Sequence, residues 1–130
     1  MKFNKLLLII PALFLLSSCA AFIVGGAVGV GAVFYEKGQL TSHEGTSYDE
    51  TLAAVFKAMD QLGYKVEKTE KSVAKEKVIA VTPEGRKIHT TVKYKQVEHT
   101  EIIIRVGTFG NEELSRKILD QIKSNLYQNI

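Results

Sequence analysis

Hydrophobic and polar positions divide this chain in two. Residues 6–35 are almost wholly apolar, and residues 36–130 carry nearly all the charge. Within the polar part the spacing of apolar residues changes period, and each change predicts an element. Leu52, Val55, Phe56, Met59 and Leu62 recur at helical spacing and predict an amphipathic helix over residues 48–62. Ser47-Tyr48-Asp49-Glu50 in front of it has the form of a capping box, in which the serine and glutamate side chains satisfy free backbone N–H groups reciprocally, and Gly63 supplies the stop. Residues 38–46 have room for a short edge strand ahead of this helix.

Four strands are predicted behind the helix. Tyr64–Lys68 alternates, Val78–Val81 is a short apolar run, and Thr82-Pro83-Glu84-Gly85 forms a hairpin turn, with proline presetting one dihedral angle and glycine supplying the positive one. Ile88, Thr90, Val92 and Tyr94 line one face of the next strand; His89, Thr91, Lys93 and Lys95 line the other. A second turn near Val97–His99 leads into Ile102-Ile103-Ile104-Arg105-Val106. Gly107-Thr108-Phe109-Gly110 then breaks the strand in a tight turn that is expected to pack Phe109 into the core, and Asn111 is placed to cap a final helix. Glu112 and Glu113 sit in its first turn, where negative charge suits the helix dipole. Its apolar stripe is Leu114, Ile118, Leu119, Ile122 and Leu126, and Glu112/Arg116 and Glu113/Lys117 have i,i+4 ion-pair spacing. The order is therefore (β)αββββα. Consecutive strands joined by short turns predict an antiparallel sheet of four to five strands with both helices on one face, a two-layer α+β domain.

The apolar N-terminal part has its own grammar. Met1–Lys5 is short and basic, and Leu6–Leu16 is an apolar core of eleven residues, in the range of an export signal and too short to span a bilayer as a helix. Leu16-Ser17-Ser18-Cys19 follows: an aliphatic residue, two small residues and a cysteine. This resembles the lipobox of bacterial lipoproteins. The resemblance implies that Cys19 takes a diacylglyceryl group through its sulfur, that cleavage removes residues 1–18, and that the freed amine is acylated in turn. Ala20, where an aspartate would mark retention in the inner membrane, favours the outer membrane. Residues 20–35, without a charge, contain Ala21, Gly25 and Gly29 at four-residue steps, the spacing that lets membrane helices approach closely. Two expectations stand side by side here: self-association in the bilayer through Gly25 and Gly29, and an apolar tether weakened as a helix by its glycines. The organisation expected is signal peptide 1–18, lipidated tether 19–37 and periplasmic α+β domain 38–130.

Composition narrows the chemistry. Lys2 and Lys5 leave with the signal, so the 17 basic residues fall to 15 against 14 acidic ones. A near-neutral chain with no basic stripe visible argues against nucleic acid as a partner. Cys19 is the only cysteine, so no internal disulfide and no thiolate metal site is available. His43, His89 and His99 are scattered, so neither a metal nor a cofactor is expected.

Ile104-Arg105-Val106-Gly107-Thr108-Phe109-Gly110-Asn111-Glu112-Glu113-Leu114-Ser115-Arg116, followed by Ile118-Leu119-Asp120-Gln121-Ile122, resembles a hallmark of a family of small uncharacterised bacterial lipoproteins. The resemblance extends back over Ser47-Tyr48-Asp49 and Leu62-Gly63-Tyr64 and brings no activity with it. The residues themselves offer no nucleophile–base pair, metal set or phosphate loop. Two sites are singled out. Arg105, opposite Ile104 in facing, has two expectations: a simply solvated side chain, or a guanidinium that bonds nearby carbonyls and pins a loop. The second sheet face carries Ile103 with Arg105, together with one of the pairs Ile79/Val81 or Val78/Ala80, beside His89, Thr91 and Lys93, and is the candidate interaction face. The expected role is a non-enzymatic interaction or structural module, attached to the membrane through acylated Cys19, that binds an envelope protein or itself. The alternative is a carrier of a lipid or small apolar ligand between helices and sheet.

Overall fold

Each strand is tied to its sequence neighbour by a tight turn or by a helix, and every pairing is antiparallel. The computed structural model describes residues 29–128. Its elements are β1 (Val33–Glu36), β2 (Gln39–Glu44), α1 (Tyr48–Gln61), β3 (Lys65–Lys71), β4 (Lys75–Val81), β5 (Lys87–Gln96), β6 (His99–Val106) and α2 (Glu112–Tyr127). They build one six-stranded sheet in the order β1-β2-β6-β5-β4-β3. The α+β class and the antiparallel sheet follow the expectation; the strand count exceeds it.

The extra strand comes from the apolar stretch. Val33-Phe34-Tyr35-Glu36 alternates, with Val33 and Tyr35 packed against the core and Phe34 on the opposite face. Lys37 and Gly38 both have positive φ (52° and 81°), the backbone of a two-residue hairpin turn. β2 is consequently an interior strand between β1 and β6, not an edge. The expected edge was wrong because β1 is hidden inside a run of apolar residues that shows no break before Glu36.

α1 starts where Ser47 Oγ accepts the Glu50 N–H at 3.2 Å, and α2 where Asn111 Oδ1 accepts the Leu114 N–H at 3.0 Å. Gly63, at φ +75°, ends α1. Leu40, Val78, Ala80, Ile88, Val92, Ile102 and Ile104 form the sheet's contribution to the core and are fully buried. Val55, Ala58, Met59, Ile118 and Ile122 cover them from the helices with the same burial. Phe56, expected on the stripe, is half out of it; Thr51 turns inward instead, its hydroxyl donating to Ser47 O at 2.7 Å. Tyr94 is also exposed, beside a bulge between Tyr94 and Gln96 that breaks the alternation. Of the two i,i+4 pairs, Glu112–Arg116 closes at 2.9 Å; Glu113–Lys117 does not among the described residues.

At the C-terminal end of α2, Tyr127 OH donates to Glu44 Oε2 at 2.5 Å. Ser42 Oγ bonds the other carboxylate oxygen, and Lys123 Nζ lies 3.7 Å from it. This network ties α2 to β2.

Candidate functional site: the uncovered sheet face

Both helices lie on one face of the sheet, and the register decides what the other face presents. Reading across β2-β6-β5-β4-β3, one row is Gln39, Arg105, His89, Ile79 and Lys68. The next is Thr41, Ile103, Thr91, Lys77 and Glu70, and the third is His43, Glu101, Lys93 and Lys75. Ile103 and Arg105 do share this face, and Ile79/Val81, not Val78/Ala80, join them, because Val78 and Ala80 are fully buried under the helices.

The centre of this face is a trough of about 1100 Å³. Its floor includes Thr91, Ile103 and His89; its rim is formed by turn residues Ser72, Gly85, Gly107 and Thr108. Lys75, Lys77, Arg86, Lys87, Lys93 and Arg105 line it, against one carboxylate among the described residues, that of Glu70. That carboxylate is already held by Lys68 at 3.3 Å. The four lysines and Arg86 make no ion pair within 4 Å among the described residues. Lys75 stands directly opposite Lys93 in the ladder, a like-charge pairing that destabilises a sheet. His89 sits among these cations. Burial, and then Lys77 and Lys87, hold its pKa below the usual histidine value, so it is neutral at pH 7.

This arrangement corrects the expectation of dispersed charge on which the argument against nucleic acid rested. Alternation along β4 and β5 places every second residue on one face, so cations spread between positions 75 and 105 look scattered in sequence and gather in the sheet.

One end of the trough is a rigid loop. Arg105 donates to Lys37 O at 3.3 Å and to Thr108 O, pinning the β1–β2 and β6–α2 connections together, the second of its two expectations. Gly107 and Gly110 have positive φ (67° and 84°). Gly38 and Gly110 touch backbone to backbone: a Cβ on Gly110 would lie 2.5 Å from Gly38 Cα. The expected packing of Phe109 into the core does not occur. Its side chain is 91% exposed at the tip of this braced loop, because the two glycine turns that let the backbones meet point residue 109 outward.

The histidines are not all apart. Antiparallel pairing of β2 with β6 brings His43 Nδ1 to 2.9 Å from His99 Nε2, with Phe34 stacked on the other side of His43 at 6.4 Å between centroids. One of the two nitrogens must donate and the other accept, so at least one ring is neutral; burial lowers the pKa of His43. No group of three His, Cys, Asp or Glu gathers around a shared point among the described residues. Nothing local announces this pair, since the partners are 56 residues apart. Leu16, Ser17, Ser18, Cys19 and Gly25 lie outside the described residues. Gly29 is exposed at the domain's entry, its carbonyl accepting from the Ala32 N–H at 3.2 Å.

Fold and site together define a two-layer α+β domain with one sheet face covered by helices and the other left open as a basic trough. The chain belongs to the family described as a protein of unknown function, DUF3568, which matches residues 3–125. No curated protein matches it.

Proposed function

We propose that this chain is a membrane-anchored envelope lipoprotein that acts as a non-enzymatic interaction module, with the open sheet face as its docking surface. The anchor is Cys19, acylated in the lipobox-like Leu16-Ser17-Ser18-Cys19, and the domain faces the periplasm, from the outer membrane. The observation that carries the docking role is the uncovered trough, with Ile103 on its floor and the cations around it. A face that served only as a solvated back would gain nothing from aligning Lys75 with Lys93. The second reading, a lipid or apolar-ligand carrier, needs room between helices and sheet. There Met59, Val55, Ile102, Ile104 and Ile118 are fully buried in one cluster.

Affinity capture from solubilised envelopes tests the docking surface. Ile103→Glu is expected to lose partners that the wild type retains; identical partner sets would remove this face from the proposal. For the anchor, Cys19→Ser is expected to accumulate as an unprocessed precursor, and normal processing of that variant would exclude lipidation.

A further inference from the structure

We infer that the occupant of the trough is an extended acidic segment of another envelope protein, with an apolar residue seated against Phe109. This rests on the docking role proposed above and specifies its partner. The charge balance points first to an anion: six cations face one carboxylate that Lys68 already holds. The spacing points to a chain. Lys75 and Lys77 are two residues apart on one face of β4, a step of about 6.6 Å, which is the step between alternate side chains of any extended segment. Carboxylates on alternate residues of such a segment meet successive ammonium groups, and the side chains between them point away.

Two other anionic occupants fit the surface less well. A bilayer is flat, and across a concave trough it would meet only the rim, leaving Thr91 and Ile103 uncontacted. Single-stranded nucleic acid leans on a series of aromatic side chains that stack successive bases; among the described residues none lines this trough, and Phe109 beyond its Thr108 rim is a lone ring. The lining cations are mostly lysines, point charges suited to carboxylates in an open channel; Arg105 already spends two N–H groups on Lys37 and Thr108 carbonyls. The entry of the chain also matters. Gly31 N–H bonds His43 O at 2.7 Å, so the segment leading back to Cys19 joins the domain at the end of β1 opposite the Phe109 loop. An anchored domain therefore has its exposed phenylalanine at the end remote from its own tether, where a partner protein reaches it.

The test uses the full lipidated chain in cells, with the photoreactive p-benzoylphenylalanine replacing Thr91. The adduct is purified and the crosslinked segment mapped by mass spectrometry. The expected result is a protein segment with carboxylates on alternate residues. Its yield should fall roughly tenfold or more in Lys77→Glu/Lys93→Glu and also in Phe109→Ser, as loss of charge complementarity and of a central apolar contact predicts. A protein segment without carboxylates would overturn the acidic partner while leaving the docking role intact. Adducts to lipid or nucleic acid alone would overturn the polypeptide occupant, and no adduct at all would overturn the docking role with it. In vitro, the purified chain is offered a labelled decapeptide of alternating glutamate and leucine, its lysine–leucine counterpart, a ten-nucleotide oligothymidine, and phosphatidylglycerol vesicles. Salt-sensitive binding of the glutamate peptide, weakened by the same variants, is expected. Equal or tighter binding of the oligothymidine or the vesicles overturns the inference.

Discussion

Replacing Gly110 by alanine should damage the domain far more than replacing Gly63, although both glycines have positive φ (84° and 75°). At Gly63 an added Cβ meets nothing within 4 Å. Only backbone strain is incurred there, about 1–2 kcal/mol for a non-glycine residue in the left-handed region. At Gly110 the same strain applies, and the new methyl would also stand 2.5 Å from Gly38 Cα and O and 2.7 Å from the Tyr35 hydroxyl. Two of those neighbours are backbone atoms of Gly38, next to Lys37, whose carbonyl accepts from Arg105, so they cannot swing away as a side-chain tip would. Overpacking of this kind costs about 1–3 kcal/mol. Gly110→Ala should therefore lose about 2–5 kcal/mol, a large part of the roughly 5–15 kcal/mol that stabilises a small domain. Urea unfolding of both variants, followed by far-ultraviolet circular dichroism and extrapolated linearly, measures the difference. If Gly110→Ala is no less stable than Gly63→Ala, the two loops are not braced against each other, and Phe109 is not held in a fixed position.

Four further outcomes are expected. Thr90 Oγ1 is buried without a hydrogen-bond partner among the described residues, so Thr90→Val should raise stability by about 1 kcal/mol in the same unfolding assay; a loss would mean that the hydroxyl is satisfied. Burial, followed by the bond to Glu44, pushes the Tyr127 phenol up to about 12. A raised acid contributes stability that is present below its unfolded value near pH 10 and is lost as pH rises from there through 12. Two units are about 2.7 kcal/mol, and with Tyr127 39% exposed screening reduces this to about 1 kcal/mol. Tyr127→Phe should flatten the alkaline loss by that amount, and an unchanged alkaline limb would refute the assignment. His89, with its pKa lowered by burial and then by Lys77 and Lys87 (Glu70 opposing the shift and Arg105 adding to it), favours the folded state above its unfolded value near pH 6.5; that stability disappears as pH falls. His89→Asn should lose less stability between pH 7.5 and 5.5 than the wild type does, and parallel curves would exclude the effect. Phe109→Ser should stay within about 0.5 kcal/mol of wild type, since a side chain 91% exposed contributes little to folding.

The parts of the fold legible in the sequence are those set by neighbours along the chain. Ser47 and Asn111 announce the helix starts because capping is local, and the faces of β5 and β6 follow from alternation over residues 88–92 and 100–106, on either side of the bulge at Tyr94. Arg105 was legible only as one of two alternatives, solvated or pinning a loop, and its bonds to the Lys37 and Thr108 carbonyls decide between them. β1 was not, because Val33-Phe34-Tyr35 continues a glycine- and alanine-rich apolar run and only pairing with β2 gives it an edge. The trough was illegible for a different reason: its cations come from β4, β5, β6 and a turn, and only the register shows that they converge. Phe109 was misplaced because hydrophobicity predicts burial wherever backbone geometry permits it, and glycine turns on both sides do not permit it.

Two departures from economical folding border the same trough: Thr108 on its rim precedes Phe109, and Lys75 and Lys93 line it. Turning Phe109 outward gives up the roughly 1.5–3 kcal/mol that burying such a side chain provides. Setting Lys75 against Lys93 adds a repulsion, while Glu101, opposite Lys93 on its other side, is bonded to Lys95. Neither feature is a by-product of the fold. A polar residue at position 109 would suit the turn equally well, and the open-face position of Lys93 imposes no packing requirement for a cation. The opposite arrangement operates a few ångströms away, where Glu101 takes Lys95 at 2.9 Å and Lys68 takes Glu70. The carboxylates of the face are therefore already taken, while Lys75, Lys77, Arg86, Lys87 and Lys93 in the trough make no ion pair within 4 Å among the described residues. A surface built only for solubility would intersperse the signs throughout; segregating them at its centre is what a complementary, negatively charged and partly apolar partner requires.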